Sequence, residues 1–442
     1  MRKIGRQLSS SQIIIIGFAV MILAGSLLLM LPFATKDGQG AAFLDALFTA
    51  TSAACVTGLV VRDTAMYWSG FGQGVILALI QVGGMGVITF AVVIFKAAGR
   101  KITLKQRSIM QDAISAPKLG GVIQVTSFLV AVTAAFELLG TFLLAPTFCG
   151  EFGLFRGLWY SLFHSVSAFC NAGFDLMGDT EPFSSLTSFV DHPAVNLVIM
   201  LLIVIGGIGF MTWQDVSVNR LRIRRYQMQS KTILATTALL ISLPAVYFFL
   251  FEFSDLPFSQ RLWGALFQSV TARTAGFNNP DLNLMSEGGQ SIMILLMLIG
   301  GAPGSTAGGL KVTTLTVMLA TAVSVFRRKE STDLYGRRVD ESTVRNAMAI
   351  VTLYLVLFLS GGFLISRIEG LPLLICLFES ASAVGTAGLT LGITTQLGAL
   401  SHIILIFLMY SGRVGALTLV FAALSGGRSS PAKLPSEKVM VG

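Results

Sequence analysis

The sequence predicts an all-α polytopic membrane protein made of four tandem helix, loop, helix repeats, and three observations predict it. Of the 442 residues 54% are hydrophobic and only 12% are charged, a balance that excludes an ordinary soluble globular domain. Uncharged runs of bilayer-spanning length, roughly 20 residues, recur along the whole chain. Between each pair of runs lies a short segment rich in small and hydroxyl residues that opens with LF and closes on a glycine followed by an apolar residue.

Taken in chain order, the first span lies within residues 6–36 and lacks the short apolar core and small-residue cleavage site of a signal peptide, so it is expected to remain as an anchor. LFTATSAACVTGL, residues 47–59, follows, and the second span lies within 63–96. The third span, 121–146, carries Glu137; it leads to LFHSVSAFCNAGF, 162–174, and to a fourth span within 191–215. The fifth, 231–252, precedes LFQSVTARTAGF, 266–277, a copy one residue shorter than the others. The sixth, 290–326, is interrupted by Lys311 and by IGGAPGSTAGGLK, residues 299–311, with five glycines and a proline. The seventh lies within 345–367; LFESASAVGTAGL, 377–389, separates it from the eighth, which runs to Arg413. The shared glycines Gly58, Gly173, Gly276 and Gly388 recur at intervals of 115, 103 and 112 residues. The chain therefore divides into repeat 1 (1–118), repeat 2 (119–228), repeat 3 (229–338, with a broken second helix and an intramembrane loop near 300–310), repeat 4 (339–428) and a tail (429–442).

Each loop segment is too short and polar to span, yet too apolar for a solvated connection. Irregular backbone at membrane depth is tolerated only where protein buries it or a water-filled cavity solvates it. A half-helix followed by an extended strand, repeated four times about one axis, meets that condition and gives eight transmembrane helices around a central pseudo-fourfold ion pore. Backbone carbonyls on four converging strands can replace a cation's hydration shell, and glycine allows the backbone angles that turn them to the axis. Each half-helix aims its partly negative carboxyl end at the same point. Four structural loops that conduct nothing are the alternative, but packing alone does not place a glycine at one position four times.

Basic residues cluster at the amino terminus, in 96–118, in RLRIRRYQ, in FRRKESTDLYGRR and after Arg428, while the segments between them are richer in acids. The positive-inside rule puts those clusters and both termini in the cytoplasm. The net charge of +9 is thus a topology and lipid signal; no aromatic-interleaved basic motif points to nucleic acid. Four cysteines without CxxC spacing and three scattered histidines outline no metal or redox centre.

In these four segments the sequence resembles the Trk/Ktr/HKT superfamily of potassium transporters, a resemblance that extends over nearly its whole length, and it looks more like the bacterial Ktr-type membrane subunit than the longer Trk type. The resemblance implies potassium as the transported ion, with sodium as an activator in some members and no organic cofactor. The implied selectivity filter consists of Cys55, Val56, Thr57 and Gly58, of Cys170, Asn171, Ala172 and Gly173, of Arg273, Thr274, Ala275 and Gly276, and of Gly385, Thr386, Ala387 and Gly388. It also implies a bacterial inner-membrane location, a homodimer, and a soluble nucleotide-binding ring of the RCK type on the cytoplasmic face. Arg413 in SGRVG matches the arginine that family members hold below the filter as a barrier to cation flow; an arginine bonded to carbonyls is the structural alternative.

Glycines and a proline weaken the helix at 299–311, which predicts a loop there. Gly300, Gly301, Pro303, Gly304, Ser305, Thr306, Gly308 and Gly309 are read as a gate opposite Arg413, against a kink that serves packing. Lys311 is expected to reach either the cytoplasmic face or the cavity, and Glu137 to be buried and hydrogen-bonded or, alternatively, to relay protons. Arg273 and Glu379 are candidates to pair and brace the filter. A proton- or sodium-coupled symporter on the same scaffold is the alternative function. A phosphate-binding loop at 304–312 is excluded, because Leu310 and Val312 stand where lysine and a hydroxyl are needed.

Overall fold

The computed structural model describes residues 9–86, 89, 122–179, 181–220, 222–415, 418–420 and 437. The amino-terminal cluster, the 96–118 cluster, the distal part of the second span and most of the tail lie outside the described residues.

In the first sequence copy, α1 (Ser10–Leu29) starts at a capping box: the Ser9 hydroxyl accepts from the Gln12 amide while the Gln12 side chain accepts from the Ser9 N–H. The short helices α2 (Phe43–Ala54) and α3 (Thr64–Tyr67) precede α4 (Gly70–Met85). The second copy gives α5 (Val122–Phe152), α6 (Leu154–Phe169), α7 (Pro193–Gly207) and α8 (Phe210–Asn219). In the third, α9 (Met228–Tyr247) runs on through a π turn to Glu252, followed by α10 (Phe258–Thr271), α11 (Glu287–Leu298) and α12 (Val312–Phe326). A two-stranded hairpin, β1 (Asp333–Leu334) with β2 (Arg337–Arg338), leads to α13 (Glu341–Glu369), α14 (Leu373–Gly385) and α15 (Ala399–Val414).

Among the described residues, four continuous helices are long and apolar enough to cross a membrane: Ser10–Leu29, Thr126–Phe152, Met228–Glu252 and Glu341–Glu369. Each is the first helix of its copy, and each turns large apolar side chains such as Leu27, Phe142, Leu243 and Leu364 outward. That is the pattern of a chain whose surrounding solvent is lipid.

The second helices differ from the expectation of one broken span. α7 and α8 meet at 96°, and together they count as a fifth crossing. α4 stops at Gly86 (φ 86°), α7 and α8 are separated at Gly209 (φ 85°), and α15 stops at Gly415 (φ 91°). Glycine enters this left-handed region without the steric penalty of a Cβ, so each break falls on the one residue that permits it. The third copy extends the same break into the loop between α11 and α12.

The short helices α2, α6, α10 and α14 sit at the centre. The phenylalanine of each LF pair, Phe48, Phe163, Phe267 and Phe378, is completely buried. Beside these rings the short helices bury many Ala, Ser and Thr, whose size lets backbones approach closely.

Candidate functional site

Each central helix ends just before the glycine that closes its loop segment, and the backbone then reverses hand. Val56, Asn171, Thr274 and Thr386 adopt φ of 58°, 58°, 67° and 51°, and two residues later Gly58, Gly173, Gly276 and Gly388 adopt 93°, 69°, 86° and 83°. Non-glycine residues visit this region rarely and at a cost, so four recurrences at one position mark a backbone held by its surroundings. The hold is visible in hydrogen bonds. The amides of Thr57, Ala172 and Ala387 donate to the carbonyls of Ser52, Ser167 and Ser382, each at 2.8 Å. In the third copy Ala275 donates to Thr271 at 2.9 Å, so the missing residue is absorbed at the end of α10 and the glycine keeps its place.

The four glycines meet in cyclic order. A methyl group on Gly58 would press on the carbonyl oxygen of Ala172; on Gly173, on that of Ala275; on Gly276, on that of Ala387; on Gly388, on that of Thr57. The contacts close from the first copy to the second, third, fourth and back to the first. Backbone carbonyl oxygens of all four copies therefore line one closed ring of glycines, and neutral oxygens are the donor type that suits an alkali cation.

Above the ring lies a cavity of about 500 Å³ lined by all four glycines together with Asp63, Asp175, Glu181 and Asp281. Burial pushes the Asp175 carboxyl up to about 6, helped by the nearby charge of Asp63 and opposed by the Met177 amide that donates to it.

Below the ring, the 299–311 segment is a loop folded under the central helices. Its ends pair, Gly300 donating to Leu310 at 2.7 Å, and its body docks on the break between α7 and α8: Ala302 donates to Gly207 at 2.8 Å, and Phe210 to Gly304 at 2.9 Å. Ser305 caps the turn from within by donating to Ala302 at 2.7 Å. Gly308 lies against the Thr386 side chain, where a Cβ would clash.

Arg413, in the last turn of α15, bonds the carbonyls of Thr306 in this loop and of Gly83 in α4, and donates to Gly84 at 3.0 Å. It thus ties three sequence copies together, and its charge sits at the helix end whose dipole favours it. The Lys311 ammonium folds back onto the loop carbonyls of Ala307 and Gly308 at 2.8 and 3.1 Å. As the N-cap of α12 that cation opposes the helix dipole, so the loop carbonyls supply its compensation.

Glu137 is 7% exposed and accepts from Gln81 at 3.2 Å, in the buried, hydrogen-bonded role. The expected pairing of Arg273 with Glu379 does not form. Glu379 is fully buried and accepts instead from the hydroxyls of Thr390 and Thr394, while the buried Nε of Arg273 has no hydrogen-bond partner. Two hydroxyls in the segment beyond Gly388 answer the carboxylate, which leaves it no need of a cation.

Glu379 belongs to a set that sequence reasoning passed over: the third residue of each LF segment, namely Thr49, His164, Gln268 and Glu379, all buried. Three of them grip the chain beyond their own glycine. His164 Nε2 faces the Leu176 amide at 3.4 Å and Gln268 donates to the Asn278 side chain at 2.8 Å, alongside the Glu379 bonds. Their identities differ, so only their shared place in the segment signals the role.

The family model for cation transport proteins named TrkH matches residues 6–429. The chain belongs to the Trk/Ktr cation-transport family. Among curated relatives, the potassium/sodium uptake protein NtpJ of Enterococcus hirae is 37% identical, with 100% of this chain and 99% of that protein covered. The Ktr system potassium uptake protein B of Bacillus subtilis is 39% identical over 98% of this chain and 96% of its own. Among solved structures, the potassium transporter TrkH from Vibrio parahaemolyticus superposes with a TM-score of 0.75 at 20% identity, covering 95% of this chain and 86% of that one, which establishes the fold. The chain is accordingly a multi-pass membrane transporter of this family and not an enzyme.

Proposed function

We propose that this chain takes up K⁺ across the bacterial cytoplasmic membrane through a selectivity filter formed by the four loop segments. The observation that carries the reading is the cyclic contact of Gly58, Gly173, Gly276 and Gly388 with carbonyls of the neighbouring copies. In this reading the four units are those expected from sequence, 1–118, 119–228, 229–338 and 339–428, each with two crossings, and both termini are cytoplasmic. The filter carbonyls come from residues 55–58, 170–173, 273–276 and 385–388. The 299–311 loop and Arg413 close the path below it, supported by the bond from Arg413 to Thr306 and by the seat of Gly308 on Thr386.

Relatives named as parts of a Ktr system support a second subunit, here a nucleotide-binding ring on the cytoplasmic face whose state moves the loop. A homodimer and stimulation by Na⁺ complete the proposal; the potassium/sodium name of the Enterococcus hirae relative supports a role for sodium. Ion flux in proteoliposomes tests it. Downhill K⁺ flux without any proton or sodium gradient is expected. Uphill K⁺ accumulation that requires a proton gradient overturns the pore and favours symport, with Glu137 as the coupling group.

A further inference from the structure

Thr306 stands at the centre of the loop, yet its side chain belongs to the other side of the pore. Its hydroxyl oxygen lies 3.0 Å from the carbonyl of Phe169, the last residue of α6, and 3.1 Å from the side-chain oxygen of Asn171, so its one proton is shared between them. Thr306 is fully buried and Asn171 is 1% exposed, so neither group has water to turn to. Room for the contact is made by Gly206, where a Cβ would meet the Phe169 carbonyl, the Asn171 side chain and the Thr306 hydroxyl together. The backbone of Thr306 is held independently: its amide donates to Gly206 at 3.3 Å and its carbonyl accepts from Arg413. Removing the hydroxyl therefore leaves the loop seated while cutting its side-chain bond to the filter.

Asn171 is the non-glycine filter residue of the second copy that holds a positive φ, 58°. Its equivalent in the fourth copy, Thr386, is the residue under Gly308. The loop thus touches the same filter position in two copies, once by a hydrogen bond and once by packing.

We propose that the Thr306 hydroxyl and the Asn171 side chain form a latch that makes filter selectivity depend on whether the loop is seated. While the loop is in place the latch fixes the strained Asn171 backbone and hence the direction of its carbonyl. When the loop moves away, the bond is lost, the strand is released, and discrimination between K⁺ and Na⁺ falls. Thr306 acts as a positioning residue through Asn171. The inference rests on the loop being the gate.

The test uses the full-length purified protein in its closed state, with the loop seated, and reads the ratio of K⁺ to Na⁺ binding affinities by isothermal titration, a quantity that a purely structural role in folding does not move. Thr306→Val keeps the shape and removes the proton; Thr306→Ser keeps the proton and restores the ratio. Asn171→Gly removes the acceptor and tolerates the positive φ. Loss of one hydrogen bond predicts a fall in the ratio of about fivefold for Thr306→Val. The Thr306→Val effect shrinks in the Asn171→Gly background, because the bond to Asn171 is already gone and only the one to Phe169 remains to be lost. A ratio unchanged by Thr306→Val, or an undiminished fall when it is added to Asn171→Gly, overturns the latch. Shortening the loop by removing residues 305–308 is tested in parallel. A shortened protein without constitutive flux removes the gate itself and the latch with it, whereas constitutive flux alongside independent Thr306 and Asn171 effects removes the latch alone.

Discussion

Arg413→Ala isolates the contribution of one side chain to the closed path. The substitution removes the guanidinium and leaves the Thr306, Gly83 and Gly84 carbonyls without their donor. Only the Thr306 bond connects to the loop; the other two fix the break at the end of α4. A hydrogen bond to a charged group is worth about 1.5–3 kcal/mol net, so loss of the loop bond shifts the open to closed ratio by about 10- to 150-fold. Basal K⁺ efflux from proteoliposomes is expected to rise by a factor in that range, up to the limit set by a fully open pore. Arg413→Lys separates geometry from charge: an ammonium keeps the barrier to cations but has no planar fork with which to bridge loop and helix, so an intermediate rise is expected. Unchanged or lower flux from Arg413→Ala in a protein that remains monodisperse and thermally stable refutes the reasoning.

Lys311→Met keeps the length of the stem and removes the bonds to Ala307 and Gly308; basal flux should rise less than in Arg413→Ala, because those bonds lie within the loop, and a larger rise contradicts the assignment. Asp175, with its carboxyl at about 6, is charged above that pH and neutral below it. Uptake at low external K⁺ should therefore fall as external pH drops from 7 to 5, and Asp175→Asn should give the low uptake at both. A wild-type protein whose uptake is flat across this window removes Asp175 from cation collection. Glu379→Ala should destabilise the fold by about 2–4 kcal/mol by leaving Thr390 and Thr394 without their acceptor, seen as a lower thermal midpoint, with Glu379→Gln recovering part of it.

The loop segments were legible because the chain meets the same local backbone problem four times, and a glycine that must adopt positive φ leaves the same mark each time. The break at 299–311 was legible for a related reason: five glycines and a proline cannot continue a helix. The breaks at Gly86, Gly209 and Gly415 were harder to read, since one or two helical glycines cost only about 1 kcal/mol each and many helices carry them. Long-range partners were the least legible. Nothing in SGRVG says that Arg413 reaches Gly83, and nothing near Thr306 points to Asn171, more than a hundred positions earlier. The pairing of Arg273 with Glu379 failed because opposite charge is a weaker guide inside a protein than nearby hydroxyls whose geometry already satisfies a carboxylate.

The central claim, that four loop segments from one chain form a single filter, is tested most directly by comparing Gly58→Ala, Gly173→Ala, Gly276→Ala and Gly388→Ala for the K⁺ to Na⁺ flux ratio in proteoliposomes. Each added methyl falls against a carbonyl of the next copy, so all four single substitutions are expected to lower the ratio or abolish K⁺ flux. Any one of the four that folds and retains both the wild-type ratio and the wild-type flux would contradict a filter built from all four copies.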